Sequence, residues 1–236
     1  MTILAIESSA VSAGCAVSSD SRILSSGFVN VGLTHSQTLM PLISDTLRGS
    51  GLSLNDIDFI AVSAGPGSFT GGRIGVCTAK GIAFTEQKPC VAVSTLEAIA
   101  QNMTGFGGWC CPVMDARRGQ VYNAMFSLDG GLERMMDDRA VAVDELAAEI
   151  SAMNGIVWLC GDGAELCWER MKESVPNVRL APVQLRFQNG CGVALAAERI
   201  AAAGGAVHSS RLVPVYLRLP QAERELRAKD SDGVGG

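Results

Sequence analysis

The 236-residue sequence predicts an α/β protein built as two similar units, each a mixed sheet flanked by helices. Three observations carry that prediction. Residues 57–64 and 156–160 are nearly unbroken apolar runs, the composition of strands buried on both faces. Each half opens with short β-rich runs joined by polar turns. The order strands, helix, buried strand, glycine loop, helix then occurs twice along the chain.

Residues 3–6, 14–18 and 23–31 read as strands, the last two joined by the polar turn Ser19-Asp20-Ser21-Arg22, so the chain opens as an antiparallel meander. From Ser36 onward Leu39, Met40, Leu42, Ile43 and Leu47 recur at helical spacing, with Gly49 and Gly51 as stop signals. The strand at 57–64 runs into a glycine loop from Gly65 to Arg73, after which 74–84 reads as a helix of small residues and 90–93 as another strand. A strand, a crossover helix and a strand in that order pair in parallel. Ser94 and Glu97 have the spacing of a capping box and open a helix to about Asn102. The glycine-rich stretch 104–109 divides the chain into an N-terminal unit, 1–104, and a C-terminal unit, 105–220, followed by a polar tail, 221–236, expected to fray.

In the second unit, 112–114 and 121–127 flank a polar tip containing Asp115, Arg117 and Arg118 as a hairpin, the tip itself reading as a solvated salt bridge. Asp129-Gly130-Gly131 turns the chain again, and Asp144 caps a helix to about Met153. The strand at 156–160 ends in Gly161-Asp162-Gly163, a helix with Leu166 and Met171 on its inner face follows, and the alanine-rich run 191–205 is one more helix.

Composition narrows the function classes. With 47% hydrophobic and 18% charged residues the chain has the material for a packed core. No apolar stretch is long enough to span a bilayer, and the N-terminal segment lacks the basic flank and cleavage site of a secretory signal, which together predict a cytoplasmic protein. Eight cysteines without a C-x-x-C pair read as small buried hydrophobes in a reducing compartment. His35 and His208 are the only histidines and lie far apart, so no metal site is expected. A net charge of -5 and 5% aromatic residues argue against an autonomous nucleic-acid binder. Any contact with RNA is expected to be indirect, through a partner.

Two sets of residues are candidates for a site. In the glycine loop, Gly65, Gly67, Ser68, Thr70 and Gly71 offer backbone N–H groups and a helix N-terminus to an anion. The spacing from Gly67 to Gly72 is that of a P-loop, yet Arg73 and Ile74 stand where Lys and Ser/Thr would hold phosphate and Mg²⁺. A tight turn that lets strand and helix pack closely is the equal alternative. Glu7 and Ser8 end the first strand and Asp162 ends a strand of the second unit, so facing loops bracket a nucleotide with Mg²⁺, or simply cap their own turns. The second set is apolar: Leu39, Met40, Ile43 and Leu47 cover more of their helix than one core-facing stripe needs, and Gly75 and Ala79 allow close helix approach. These predict a helical interface with another subunit, burial within the same domain being the alternative. No nucleophile has a base near it in sequence.

The segments LAIESS, THSQTLMPLI, GPGSFTGGRIG, VSTLEAIA, DARRGQVY, GDGA and VPVYLRLPQAER occur in the order found in the TsaB (YeaZ) family, which the chain resembles along almost its whole length. The resemblance implies a duplicated, two-lobed actin/Hsp70/sugar-kinase-like fold. It further implies a noncatalytic scaffold that pairs, through helices of the first lobe, with a TsaD-like transferase. That transferase places a threonylcarbamoyl group on N6 of the adenosine next to the tRNA anticodon, and its metal is held by an H-x-x-x-H pair that this chain lacks. A TsaE-like ATPase joins the pair, any ATP and Mg²⁺ belong to the partners, and the chain alone forms homodimers. Glu7 stands where many members have Asp, which weakens a magnesium-nucleotide role for that strand end. The rival expectation is an ATP-dependent small-molecule kinase of the same fold, whose set of magnesium carboxylates is represented only by Glu7 and Asp162.

Overall fold

The computed structural model describes residues 1–218, so the tail expected at 221–236 lies outside the described residues. The chain opens with strands β1 (Thr2–Glu7), β2 (Ala13–Ser19) and β3 (Arg22–Val29), an antiparallel meander. Adding β4 (Phe59–Gly65) and β5 (Cys90–Ser94), both running parallel to β1, completes a first sheet of order β3-β2-β1-β4-β5. The second sheet holds β6 (Trp109–Arg117), β7 (Gln120–Ser127), β8 (Glu133–Ala142), β9 (Val157–Cys160) and β10 (Val178–Leu180). Its order is β8-β7-β6-β9-β10, with an antiparallel meander and two parallel additions as in the first sheet. The duplication expected from element order is therefore present in the hydrogen-bond ladders.

Helices α1 (His35–Ser50) and α2 (Phe69–Thr85) cover one face of the first sheet, where Leu39, Ile43 and Val76 meet Leu4, Ile6 and Ile60. The opposite face receives α7 (Gly190–Ala202), whose Val193, Ala196 and Ala197 pack on Ile3, Ala5 and Val91. A helix from late in the chain thus returns to the first sheet. Between the sheets, α3 (Thr95–Gln101) sets Leu96 and Ile99 against Cys110, Met114 and Phe126 of the second sheet. The far side of that sheet is closed by α4 (Val143–Ser151) and α5 (Ala164–Met171). A short α6 (Val183–Arg186) precedes α7. No helix among the described residues is long and apolar enough to cross a membrane.

Several local expectations need correction. Helix α2 begins at Phe69 rather than 74, because Ser68 is an N-cap whose hydroxyl accepts from the Gly71 N–H, so Thr70, Gly71 and Gly72 are first-turn helix and not loop. Helix α1 runs through Gly49 and ends at Gly51. Ser94 caps α3 as expected, but Glu97 does not complete the box: its carboxylate is taken by Arg134 and Arg199. Ala142, not Asp144, is the N-cap residue of α4. Leu166 is exposed on α5, whose inner face is Ala164, Cys167 and Met171. Of the eight cysteines six are buried, Cys191 is partly buried and Cys77 is exposed.

Candidate functional site

The C-terminal ends of β1, β4, β6 and β9 converge on one cleft between the lobes, of about 530 Å³, lined among others by Ser9, Ser68, Asp115, Arg117, Asp162 and Tyr216. Ligands of open α/β sheets collect at such carboxyl ends. The residues expected to hold an anion are divided between the wall of this cleft and the packing behind it.

Glu7 is fully buried and absent from the wall. Its Oε1 accepts from the Ser9 N–H at 2.6 Å and the Ser9 hydroxyl at 2.5 Å, and Oε2 accepts from the Ser63 hydroxyl. Burial raises its carboxyl above the ordinary range, against the lowering by those three hydrogen bonds. Ser8 is also buried, donating to the Gly71 carbonyl at 2.9 Å. Gly65 and Gly67 are required by close approach: at φ +131° and +152°, a Cβ would sit 2.2 Å from the Val215 carbonyl oxygen and 2.4 Å from that of Ser9. The Ser68 N–H, instead of facing an open loop, donates to the Ser9 carbonyl at 2.6 Å. Thr70 is exposed on the first turn of α2. Ser68 and Asp162 do reach the cleft. Asp162 Oδ1 accepts from Gln188 Nε2 at 2.8 Å, and partial burial pushes its carboxyl up.

The cleft also holds groups that sequence reasoning set aside or did not find. Asp115 and Arg117 do form the expected bridge, at 3.5 Å, but both line the cleft. From the far end of the chain come Val215, Tyr216, Leu217 and Arg218. The Tyr216 ring lies 4.7 Å from that of Phe69, and Arg73 stacks on Phe69 at 3.7 Å while its Nε donates to the Tyr216 hydroxyl at 2.9 Å. Nothing in local periodicity links positions so far apart. Among the described residues, no three His, Cys, Asp or Glu side chains gather as a ligand set.

The apolar residues expected at a subunit interface turn out to face inward for the most part. Leu39 and Ile43 are 1% and 3% exposed, Leu47 is partly buried against the same core, and Ala79 is fully buried. Gly75 is needed for α2 to approach its own sheet, since a Cβ there would lie 2.3 Å from Ser8 Oγ and 3.4 Å from Val62. The helix α1 is apolar over much of its girth because it packs on two neighbours, the first sheet and α2. Met40, 52% exposed, is the member of the set on the outer face, and Phe84 of α2, 74% exposed, is another large apolar side chain left in solvent.

Comparison with known proteins gives a consistent result. The family model described as tRNA N6-adenosine threonylcarbamoyltransferase, TsaD, matches residues 30–180. The tRNA threonylcarbamoyladenosine biosynthesis protein TsaB of Bacillus subtilis (strain 168) is 33% identical over 234 residues, covering 94% of this chain and 96% of that one. Its counterpart from Escherichia coli (strain K12) is 32% identical, covering 98% and 100%. Among solved structures, YeaZ from Pseudomonas aeruginosa superposes with a TM-score of 0.77 at 26% identity, over 92% of this chain and 99% of that one. The fold is the two-lobed actin/sugar-kinase-like one implied by the resemblance.

Proposed function

The chain belongs to the TsaB family of tRNA threonylcarbamoyladenosine biosynthesis proteins, and from that premise we propose that it serves this pathway as a noncatalytic partner subunit. A TsaD-like transferase carries the chemistry at N6 of the adenosine next to the anticodon, and this chain docks on it and holds it in its working form. A TsaE-like ATPase joins the pair and supplies the ATP step, and in the absence of the transferase two copies of this chain associate.

The observation that carries the reading is the closed state of the first lobe's strand ends. A magnesium nucleotide requires free carboxylate oxygens and N–H groups turned toward phosphate. Here both oxygens of Glu7 are occupied by Ser9 and Ser63, the Ser68 N–H is given to the Ser9 carbonyl, and Gly65 and Gly67 lie tight against the carbonyls of Val215 and Ser9. A kinase of the same fold needs those groups free, so that reading is not favoured. Docking is supported by Met40 and Phe84, apolar side chains on the outer faces of α1 and α2.

Two measurements test the reading. After depletion of the protein in its native cells, mass spectrometry of tRNA nucleosides is expected to show a loss of threonylcarbamoyladenosine that complementation restores. An unchanged nucleoside with depletion verified overturns the pathway assignment. For the interface, the double variant Met40→Glu/Phe84→Glu is expected to keep its stability to within about 0.5 kcal/mol, as surface changes do. It should bind the transferase at least about tenfold more weakly, because a charge enters an apolar contact. Undiminished co-elution sinks the outer-face assignment. Ile43→Glu is no substitute, since it buries a charge in the core and unfolds the chain.

A further inference from the structure

We infer that the mouth of the interlobe cleft is a contact site for one nucleotide unit, base plus phosphate, presented by an unpaired RNA strand. The inference rests on the pathway reading above and goes beyond it, since an acidic, aromatic-poor chain was expected to meet RNA only through a partner.

The charge of this one surface opposes that of the whole. The chain carries -5 overall. Arg117 and Arg218 line the cleft, Arg118 adjoins Arg117 at the hairpin tip, and Arg73 contacts two lining rings. Against these four arginines stand two carboxylates, and both are engaged: Asp115 with the Arg117 N–H at 2.7 Å and its guanidinium, Asp162 with Gln188. Guanidinium forks match phosphate oxygens bidentately.

Backbone geometry places two of these arginines at a cost. Arg117, the last residue of β6, and Arg118, which shares the two-residue hairpin turn with Gly119, adopt φ values of +67° and +58°, a region Asn and Gly occupy far more readily. Strain of this kind, held at the lip of a cleft, is a pointer to use rather than to stability.

Beside the arginines lies an aromatic surface. Phe69 is covered by Arg73, but Tyr216 is 42% exposed and Tyr122 contributes from the second lobe. Rings next to guanidinium groups along a groove are how unpaired nucleic acid is held, the base stacking and the backbone meeting charge. A volume of about 530 Å³ falls inside the range of roughly 300–1,000 Å³ typical of small-ligand clefts. The closed loops of the first lobe line the same cleft through Ser9, Gly67 and Ser68, but the Ser68 N–H is already given to the Ser9 carbonyl, so the contacts to base and phosphate fall to the arginines and rings at the cleft mouth.

The test is fluorescence anisotropy with a labelled anticodon stem–loop RNA, on the full chain alone and on its complex with the transferase, with AMP as a second titrant. Arg117→Ala/Arg118→Ala is expected to weaken RNA binding and to lower the slope of log K against log salt by roughly 0.7, the share of the one single-strand phosphate that the variant no longer neutralises. Arg73→Gln, away from the strained hairpin, should weaken binding in the same direction should the double variant fold poorly. Tyr216→Ala is expected to cost about fivefold or more, the share of one stacked base, while Tyr216→Phe, which keeps the ring and gives up only the hydroxyl bonded to Arg73, loses less. Binding of AMP that the same variants abolish, without RNA binding, assigns the site to a free nucleotide and overturns the RNA strand as its source. Curves that superimpose on wild type for every variant, or no binding of either probe, overturn the site altogether. A chain that binds neither probe yet restores the modified nucleoside in depleted cells refutes the cleft while leaving the pathway reading intact.

Discussion

The two lobes share one order of strands and one pattern of parallel and antiparallel pairing, yet they treat the ends of those strands differently. In the first lobe the loops after β1 and β4 close on each other, through Glu7 to Ser9 and Ser63 and through Ser68 to Ser9. In the second, Asp115, Arg117 and Asp162 remain on the wall of the cleft. The edge strands differ in the same spirit. β3 has a single charged residue, Arg22, whereas β8 has five, and Arg134, Asp138 and Arg139 of β8 form ion pairs. Charge on an edge strand discourages pairing with another chain. Pairing topology is fixed by buried apolar surface, so it survives duplication, while loop ends are free to serve packing in one copy and solvent-facing chemistry in the other.

The largest effect that could break this comparison is steric. Gly65→Ala puts a Cβ at φ +131° and 2.2 Å from the Val215 carbonyl, which cannot retreat because the Val215 N–H is bonded to Ala64 at 2.7 Å. Strain of about 1–2 kcal/mol and overpacking of about 1–3 kcal/mol together predict a loss of about 2–5 kcal/mol in urea unfolding. Gly161→Ala, its counterpart after β9, meets the Val113 carbonyl at 2.2 Å and should lose as much. Gly130→Ala, at φ +80° in open space, should cost only about 1 kcal/mol. If Gly65→Ala were no worse than Gly130→Ala, the first lobe's loop would not be closed as described.

A smaller effect concerns how the lobes are tied. Arg134 on β8 pairs with Glu97 of α3 at 3.2 Å and with Asp138 at 2.6 Å, and stacks 4.7 Å over Phe126, all in a partly buried setting. Arg134→Met is expected to cost about 1.5–3 kcal/mol, the range for hydrogen bonds to charged groups. Arg170→Met, which removes the exposed pair with Asp144, should cost no more than about 1 kcal/mol. Equal, small losses would mean that the network does not bind the second sheet to α3.

What the sequence made legible follows the same division. Strands buried on both faces, the opening meander, the Ser94 cap and the hairpin before Gln120 were readable because each rests on local composition or a short turn. β8 escaped because its Glu, Asp and Arg residues face solvent and ion-pair partners instead of a core, and β10 because three residues carry no pattern. The start of α2 was misplaced because its glycines, small for close packing, look like loop. The inward row of α1 leaves interface and core equally open in the sequence, since periodicity reports that a stripe is apolar and not which neighbour covers it. The Phe69, Arg73 and Tyr216 cluster depends on tertiary contact alone, as does the satisfaction of Glu7 by Ser63.

The finest test reads protons. Burial holds the Glu7 and Asp162 carboxyls above their ordinary values, so the folded chain binds a proton more tightly than the unfolded one at both positions. The stability each contributes is therefore fully present below the unfolded value, about 4.3 for Glu and 3.9 for Asp, and is lost as pH rises toward the folded value. Glu7→Gln keeps an acceptor for the Ser9 N–H while removing the titration, so the decline in urea midpoint as pH rises above about 4.3 should flatten relative to wild type. Asp162→Asn should flatten it less, because that side chain reaches the cleft and Glu7 is fully buried. The ranking of the two slopes measures how far each lobe has withdrawn its carboxylate from water. Identical profiles for wild type and Glu7→Gln would show that the Glu7 carboxyl titrates alike in the folded and unfolded chain, the hydrogen bonds from Ser9 and Ser63 fully offsetting its burial.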